Sequence, residues 1–491
     1  MKKILLILVA IAFSFTSCER IDFGDTNVNP YEAQEGNSSA LMRGAMGMFA
    51  SNGDRTYYSN VANYAQYQAE VTYTDEQIYS QYSGAWYRYY ISELMPLKEV
   101  IETATEPSGS KSVNMSAIAD IFSVMIWKRI TDTFGDIPYT EALQGSENIV
   151  PKYTTQKDIY LDLLARLKTS RDAMDANAWT PGSDADIMYG GDISKWGKLA
   201  NSLILSVSLQ LSGTSEAAAG QAAFNEALNN TYGVIEDNAD NLVFIPDGVG
   251  NFPNPLSRSR SADYSITKEL VESLNGSAGP WGAGFTDPKN VTSNHTPDLR
   301  VSKYATTPTG SDAIPYGYRN NQGQLGEPVN DLYKASDANF TIMSATYTYL
   351  NRAEGALIFA SGEDANAMLT SGIIKSFEFA GLTNADGTAQ AAIRVADAAN
   401  AAIAPGGLAQ VIGEEKWFAL FPDAYGAWAE QRRTGFPELH ASPDAVNGGV
   451  IPHRMLYPTN AKQVNPNGWQ GGVNTLAPAE DANTSKIWWE Q

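Results

Sequence analysis

Residues 73–82 bring aromatic rings together with hydroxyl, carboxyl and amide groups, a mixture suited to a neutral polar ligand. Ring faces cover the C–H surfaces of such a ligand, and carboxylates or amides bond its hydroxyl or peptide groups. The stretch has a poor helical stripe, but helical spacing from Tyr82 onward means that core packing would explain some of the rings. The candidate ligand contacts here are Tyr73, Asp75, Tyr79, Tyr82 and Trp86.

A second candidate set lies in residues 245–339, where Pro, Gly, Asn and Ser are dense and a helical stripe persists only around residues 264–274. Its aromatic and polar side chains offer the same ligand chemistry. The candidates in this stretch are Trp281, Tyr316, Tyr318 and Arg319. Because both sets are chosen on composition, the sequence predicts two regions of possible ligand contact and no preference between them.

The only cysteine, Cys18, follows two small residues at the end of a short apolar run that begins after Lys2-Lys3. A basic start, an apolar run too short to span a bilayer and small residues before the cleavage point are typical of a secretory signal. The cysteine at that point resembles the lipobox of bacterial lipoproteins. We therefore predict that residues 1–17 are removed, that Cys18 is acylated, and that residues 18–36 form a tether.

Common catalytic and metal-binding patterns are missing from the sequence. The histidines, His295, His440 and His453, are scattered without metal-ligand spacing, and a lone cysteine excludes an internal disulfide or a CxxC site. No G-x-S-x-G, P-loop or dinucleotide fingerprint occurs. A pair of carboxylates, as in glycosidases, is the enzymatic route that 55 acidic residues leave open. We expect a protein that is not an enzyme and has no cofactor or metal.

The charge balance argues against nucleic acid as a partner. With 34 Lys+Arg and 55 Asp+Glu, the 491-residue chain has a net charge of −21 and no basic run that could bind phosphates or anionic lipid. A composition of 43% apolar residues is that of a globular protein with a substantial core. Membrane association is therefore expected through the N-terminal lipid only.

The periodicity of the body is helical. Apolar stripes predict four helices in the first half of the chain. One begins near Ser38, one ends near Gly135, one is capped at its start by Thr155, and one is capped at its start by Asp192. Residues 340–381 read as a helix–turn–helix broken at 361–362, with small residues where the helices meet, which resembles a tetratricopeptide-like pair. A further pair spans 408–433. The one candidate strand is 242–245, so the predicted fold class is mainly α with little β.

These stripes divide the chain into segments. The sequence predicts a single domain over 37–491 with helical parts at 37–244 and 340–435. Between them lies the loop-rich insertion 245–339, and a loop-rich C-terminal segment covers 436–491.

Several sequence blocks, spread in order along the chain, resemble the SusD/RagB family of nutrient-binding outer-membrane lipoproteins, in its SusD-like, starch-binding branch. Any one block would be weak evidence, but their order over nearly the whole chain is specific. The blocks are Asp132–Leu143, Tyr153–Leu167, Asp186–Trp196 with Ala200–Leu203, Glu415–Leu420, Ala427–Gly435, Ile451–Pro458 and the terminal Trp488-Trp489.

The resemblance implies tetratricopeptide-like helical pairs that support a loop-rich ligand face. It also implies a lipid-anchored protein on the outside of the outer membrane. Such a protein would capture nutrient oligomers, most simply glycan, for a partner TonB-dependent, SusC-like transporter. Oligopeptide capture, a glycosidase and a tetratricopeptide-type protein-binding scaffold are the alternatives. The family's ligand-contacting residues fall outside the matching blocks, so the resemblance names none of the site residues.

Overall fold

Helices follow one another closely along the first half of the chain. The computed structural model describes residues 37–51, 60–246, 252–258, 261–275, 297–307 and 312–491. A turn of π-helix, Tyr89–Leu94, runs directly into the third helix. The helices of this half are α1 Ser38–Ser51, α2 Asn60–Tyr64, α3 Met95–Thr103, α4 Val113–Phe134, α5 Gln156–Ala173, α6 Ile193–Gln210 and α7 Ala217–Leu228.

Local capping signals account for the bounds of these helices. The Ser112 side chain accepts the Met115 N–H at the start of α4, and α4 ends at Gly135, whose φ of 88° requires a residue without a Cβ. Thr155 caps α5, and the Asp192 carboxylate accepts two backbone N–H groups at the start of α6. These starts and the end of α4 confirm the sequence predictions.

The second half repeats the pattern of paired helices. Neighbouring helices pack against each other in chain order, and α11 also packs against α6 of the first half. Within the pair α11 and α12, a Cβ on Gly372 would lie 3.2 Å from Leu350, so the small residue permits a close approach. The helices are α11 Ala345–Ile358, α12 Ala365–Phe379, α13 Asn384–Ala398, α14 Gly407–Leu420 and α15 Ala424–Thr434. The mainly α fold with tetratricopeptide-like pairs is confirmed for the described residues.

Strands in the described ranges are short and occur as three antiparallel pairs. β1 pairs with β5, β2 with β3, and β4 with β6. β4 lies at the predicted 242–245 strand, but the prediction that a helix begins at Phe340 is wrong. Phe340–Met343 forms β6, which pairs antiparallel with β4, and α11 begins only after Ser344, which caps it. The strands are β1 Gln68–Glu70, β2 Ile137–Pro138, β3 Tyr153–Thr154, β4 Leu242–Phe244, β5 Tyr264–Ile266 and β6 Phe340–Met343.

The insertion and the C-terminal segment consist mostly of loops in their described residues. The insertion contains α8 Lys268–Asn275, α9 Val301–Tyr304 and α10 Asp331–Lys334, and the C-terminal segment contains α16 Ala461–Val464 and α17 Pro466–Asn474. The helical stripe predicted from residue 264 begins as β5, so this part of the prediction is wrong. β5 pairs with β1, with Tyr264 opposite Glu70 and Ile266 opposite Gln68. This pairing joins the insertion to the strand that immediately precedes the first candidate region, residues 73–82.

Buried ion pairs attach the insertion to the helices. Arg300, at 1% exposure, donates to Asp298 of its own turn, to Glu415 on α14 at 2.9 Å and to Ser376 on α12 at 3.0 Å. Glu415 also accepts from Arg394 on α13 at 3.0 Å. Because a buried charge without its partner is costly, these pairs hold the insertion at one place on the helical scaffold.

Candidate ligand-binding surface

Residues 73–82, called the tyrosine loop below, leave β1 and form a series of turns rather than a helix. Tyr79 stands at their centre with a φ of 65°, a left-handed conformation that is uncommon for a bulky residue. Its ring is fully buried between Tyr64, 6.0 Å away, and Tyr316, 6.2 Å away. Burial raises the pKa of Tyr79 to about 12. Packing of this ring holds the loop in its strained conformation.

Gln77 joins the tyrosine loop to β1 and to the insertion. Its side-chain oxygen accepts the N–H groups of Glu70 at 2.9 Å and Gly317 at 3.3 Å. Its amide nitrogen donates to the carbonyls of Glu70 at 3.1 Å and Tyr318 at 3.0 Å. A buried amide that uses both of its ends in this way orders three backbone segments at once.

An ion pair brings the two sequence-predicted regions together at the surface. The Arg319 guanidinium donates to the Asp75 carboxylate at 2.6 Å, across 244 positions of sequence. Both side chains are more than half exposed. The backbone N–H of Arg319 donates to Asp444 at 2.8 Å, and the Thr74 hydroxyl donates to the Arg319 carbonyl at 3.3 Å. Residues 73–82, 312–325 and 442–450 therefore form one surface, called the candidate surface below.

The segments that carry this ion pair also carry exposed rings. Tyr73 is 54% exposed and Tyr82 is 41% exposed, while Tyr318 is half-buried and desolvation raises its pKa. Apolar Leu325 and Val446 are also exposed. Backbone bonds bring their segments next to the tyrosine loop: Gly323 donates to Val71 at 2.8 Å, and Val446 donates to Ile78 at 2.9 Å.

Three of the predicted contacts lie in or against the core instead of on this surface. Tyr79 and Tyr316 are fully buried, and the Tyr316 hydroxyl donates to the Gln77 carbonyl at 2.9 Å. Trp86 is half-buried among other rings, the nearest being Phe134 at 5.2 Å, followed by Tyr153 and Tyr457, each at 5.6 Å. Tyr79 and Tyr316 therefore pack beneath the tyrosine loop, and Trp86 packs in an aromatic cluster outside the candidate surface. Trp281 and Cys18 lie outside the described residues.

A buried polar layer lies under the tyrosine loop. Glu70 is 1% exposed; one carboxylate oxygen accepts from Asn63 at 2.7 Å, and the other has no hydrogen-bond partner among the described residues. Desolvation raises the pKa of Glu70 to about 8. Glu269, also fully buried, accepts the Tyr316 N–H at 2.9 Å and lies 3.4 Å from the His440 ring.

Sequence reasoning missed two residues of the C-terminal segment. Asp444 caps the backbone at Arg319, and the buried Asn483 binds the tyrosine loop from the other side. The Asn483 amide donates to the Tyr79 carbonyl at 3.1 Å and accepts from Gln81 at 3.0 Å. Neither residue belongs to a motif, and a polar residue in a Pro/Gly/Asn-rich segment carries no signal that would have singled it out.

The chemistry of the candidate surface is that of recognition. Exposed rings beside a fixed ion pair can stack on and hydrogen-bond a polar ligand. Among the described residues no group of His, Cys, Asp or Glu could hold a metal ion. No helix in the described ranges combines the length and apolarity needed to cross a bilayer.

Comparison with known families gives one match that spans most of the chain. A family model named SusD-like and described as starch-binding, associating with outer membrane, matches residues 30–458. Among curated proteins, no relative matches the chain.

Solved structures show the same fold. A chitin-binding protein is 23% identical, with 93% of this chain and 100% of that chain covered and a TM-score of 0.73. A chitin-binding SusD homologue from Flavobacterium johnsoniae is 20% identical, with coverages of 92% and 97% and a TM-score of 0.73. A SusD homologue from Bacteroides vulgatus is 20% identical, with coverages of 93% and 97% and a TM-score of 0.75.

Proposed function

The chain belongs to the SusD-like family, and we propose on this basis that it captures glycan oligomers at the cell surface. In this proposal it is a binding protein rather than an enzyme, and it delivers the glycan to a TonB-dependent, SusC-like transporter in the outer membrane. The family's description as starch-binding and associating with outer membrane supports the ligand class and the location. The chitin-binding names of two structural neighbours support the same ligand class.

The observation that carries the proposal is the contact between the two aromatic regions. The Asp75–Arg319 pair fixes polar groups at the surface, and Tyr73 presents an exposed ring on the tyrosine loop that contributes Asp75. Oligosaccharides combine hydroxyl groups with apolar C–H faces, so they need both elements. We expect the ligand to contact Tyr73, Asp75, Tyr82, Tyr318 and Arg319, with the buried rings of Tyr79 and Tyr316 as supports.

A binding experiment tests this site. The purified full-length protein in mild detergent is titrated by calorimetry with chitin and starch oligosaccharides and with a peptide pool. Tyr73→Ala should weaken glycan binding about three- to tenfold, because a stacking ring contributes about 0.5–1.5 kcal/mol beyond area burial. Tyr87→Ala is the matched control, since Tyr87 is exposed to a similar degree but lies outside the candidate surface.

Other outcomes identify the alternatives. Binding of the peptide pool without any glycan binding would favour the oligopeptide role, and formation of shortened sugar products would identify a glycosidase. If Tyr73→Ala binds glycan as tightly as Tyr87→Ala does, the ligand site lies outside the tyrosine loop.

A further inference from the structure

A cavity of about 340 Å³ lies between the end of α15 and the C-terminal segment. Gln431 lines it from α15, and Leu439, Val450 and His453 line it from the C-terminal segment. Two further cavities, of about 50 and 90 Å³, have room for a few water molecules. Small-molecule sites usually measure about 300–1,000 Å³. The larger cavity, called the C-terminal pocket below, is therefore large enough for a small ligand.

The loop 442–450 borders both the C-terminal pocket and the candidate surface. Its Asp444 carboxylate accepts the Arg319 backbone N–H at 2.8 Å. Gly449 and Val450, at the end of the same loop, line the pocket. A ligand held in the pocket therefore touches the loop that holds the backbone of Arg319.

The described residues that line the pocket offer a ligand no exposed permanent charge. Arg432 is the one among them with a permanent charge, and only 2% of its side chain is exposed. Its guanidinium donates to the carbonyls of Trp428 at 3.3 Å and Asp132 at 2.7 Å, and it lies 3.7 Å from the Glu490 carboxylate. Because this cation is covered and paired, an anionic ligand gains little from it. The pocket therefore suits an uncharged ligand.

Two half-buried side chains in the pocket keep hydrogen-bonding atoms that no described residue uses. The Gln431 amide makes no hydrogen bond to a described residue, so it can both donate and accept. His453 Nδ1 lies 3.4 Å from a Glu490 carboxylate oxygen, while its Nε2 has no partner among the described residues. Since a carboxylate can only accept, the neutral imidazole holds its proton on Nδ1 and presents Nε2 as an acceptor. The best ligand therefore brings a donor for His453, an acceptor for Gln431 and an apolar part.

We propose that the C-terminal pocket is a second glycan subsite, which binds the acetamido group of an N-acetylated sugar. This subsite rests on the proposed glycan-binding function and adds the class of sugar. The acetamido N–H donates to His453 Nε2, the acetamido carbonyl accepts from the Gln431 amide, and the methyl group packs against Leu439 and Val450. A hydroxyl group in the same place has no methyl group to bury and a single oxygen for both polar partners.

Two trisaccharides that differ in this group test the subsite. Chitotriose carries acetamido groups where cellotriose, with the same β-linked glucose backbone, carries hydroxyl groups. Calorimetry on the full-length protein in mild detergent should show chitotriose binding about three- to tenfold more tightly, the usual effect of one additional hydrogen bond.

Matched variants place this preference in the C-terminal pocket. Gln431→Leu keeps the size of the side chain but removes the amide, and His453→Phe removes both ring nitrogens. Each should lower the affinity for chitotriose about threefold or more and leave the affinity for cellotriose unchanged. Gln463→Leu changes an exposed glutamine on α16 that does not line the pocket, and it should bind as the wild type does. Tyr73→Ala should weaken binding of both trisaccharides alike, because both present the same C–H faces to a stacking ring.

The outcomes separate the acetamido subsite from the function on which it rests. Equal affinity of the wild type for the two trisaccharides would overturn the subsite and leave glycan capture intact. A preference for chitotriose that survives in both pocket variants, or equal losses for the two sugars in those variants, would do the same. Failure of the wild type to bind either trisaccharide or a starch oligosaccharide would instead overturn the proposed function, and the subsite with it.

Discussion

Glu70 shows how a single side chain makes this molecule sensitive to pH. Its carboxyl group is buried under the tyrosine loop with one oxygen unpartnered among the described residues, and desolvation raises its pKa from 4.5 to about 8. A buried acid with a raised pKa favours the protonated form in the folded state. Its contribution to stability is therefore complete below pH 4.5 and is lost as the pH rises through 8.

Glu70→Gln should remove this dependence, because the amide stays neutral and its oxygen can still accept from Asn63. In urea unfolding series between pH 5 and 8, the free energy of unfolding of the wild type should fall by about 2–5 kcal/mol relative to the variant. Glu147→Gln, which changes an exposed carboxylate elsewhere, provides the control and should parallel the wild type. If the free energy of unfolding of Glu70→Gln varies with pH in the same way as that of the wild type, the ionisation of Glu70 costs the folded state little free energy. Asp136, whose pKa burial raises to about 6, is common to all three proteins and cancels from the comparison.

At the scale of elements, the fold depends on attachments between loops and helices. Loss of the Arg300 side chain should lower the stability of the fold, because it leaves the buried Asp298 carboxylate without its cationic partner and weakens the pairing of Glu415. Arg300→Met should lower the free energy of unfolding by about 3–5 kcal/mol, the usual cost of breaking a buried pair.

The control is an exposed pair on α3. Lys98→Met removes the partner of Glu102 one helical turn away, with both side chains more than a third exposed, and should cost about 0.3–0.5 kcal/mol. Chemical denaturation of both variants measures the contrast. A similar small loss in the two would mean that water or a rearranged side chain replaces Arg300.

At the scale of the whole molecule, the proposed anchor decides where the protein works. Cys18→Ala should release the protein from the membrane fraction, because several acyl chains hold a protein at a bilayer and the described helices offer no span. Fractionation followed by immunoblotting measures the release, and unchanged circular dichroism shows that the body stays folded. A variant that remains with membranes would contradict the lipoprotein proposal.

Transport requires a second protein in this proposal. Affinity purification from gently solubilised outer membranes should recover a TonB-dependent transporter in near-equal amount. We expect the contact to use neutral, loop-rich segments, including parts of 441–491, since a net charge of −21 argues against a uniformly acidic docking surface. Part of that segment is already bound to the tyrosine loop through Asp444 and Asn483. Recovery of the protein alone would favour the scaffold alternative.

The sequence by itself determined the family, the mainly helical class and many helix bounds. Caps such as Ser112, Thr155 and Asp192 act on backbone groups two or three residues away, so they can be recognised without the rest of the molecule. The same locality explains the error at Phe340, because a stretch of four residues is too short for its periodicity to distinguish a strand from the first turn of a helix.

Only the tertiary structure decided which rings face solvent and which segments meet. Tyr73 and Tyr79 lie in one loop with similar neighbours, yet one is exposed and the other is buried against Tyr316 from the insertion. The partner of Asp75 lies 244 residues further along the chain. Burial and ion pairing depend on contacts between segments distant in sequence, and local periodicity carries no information about those contacts.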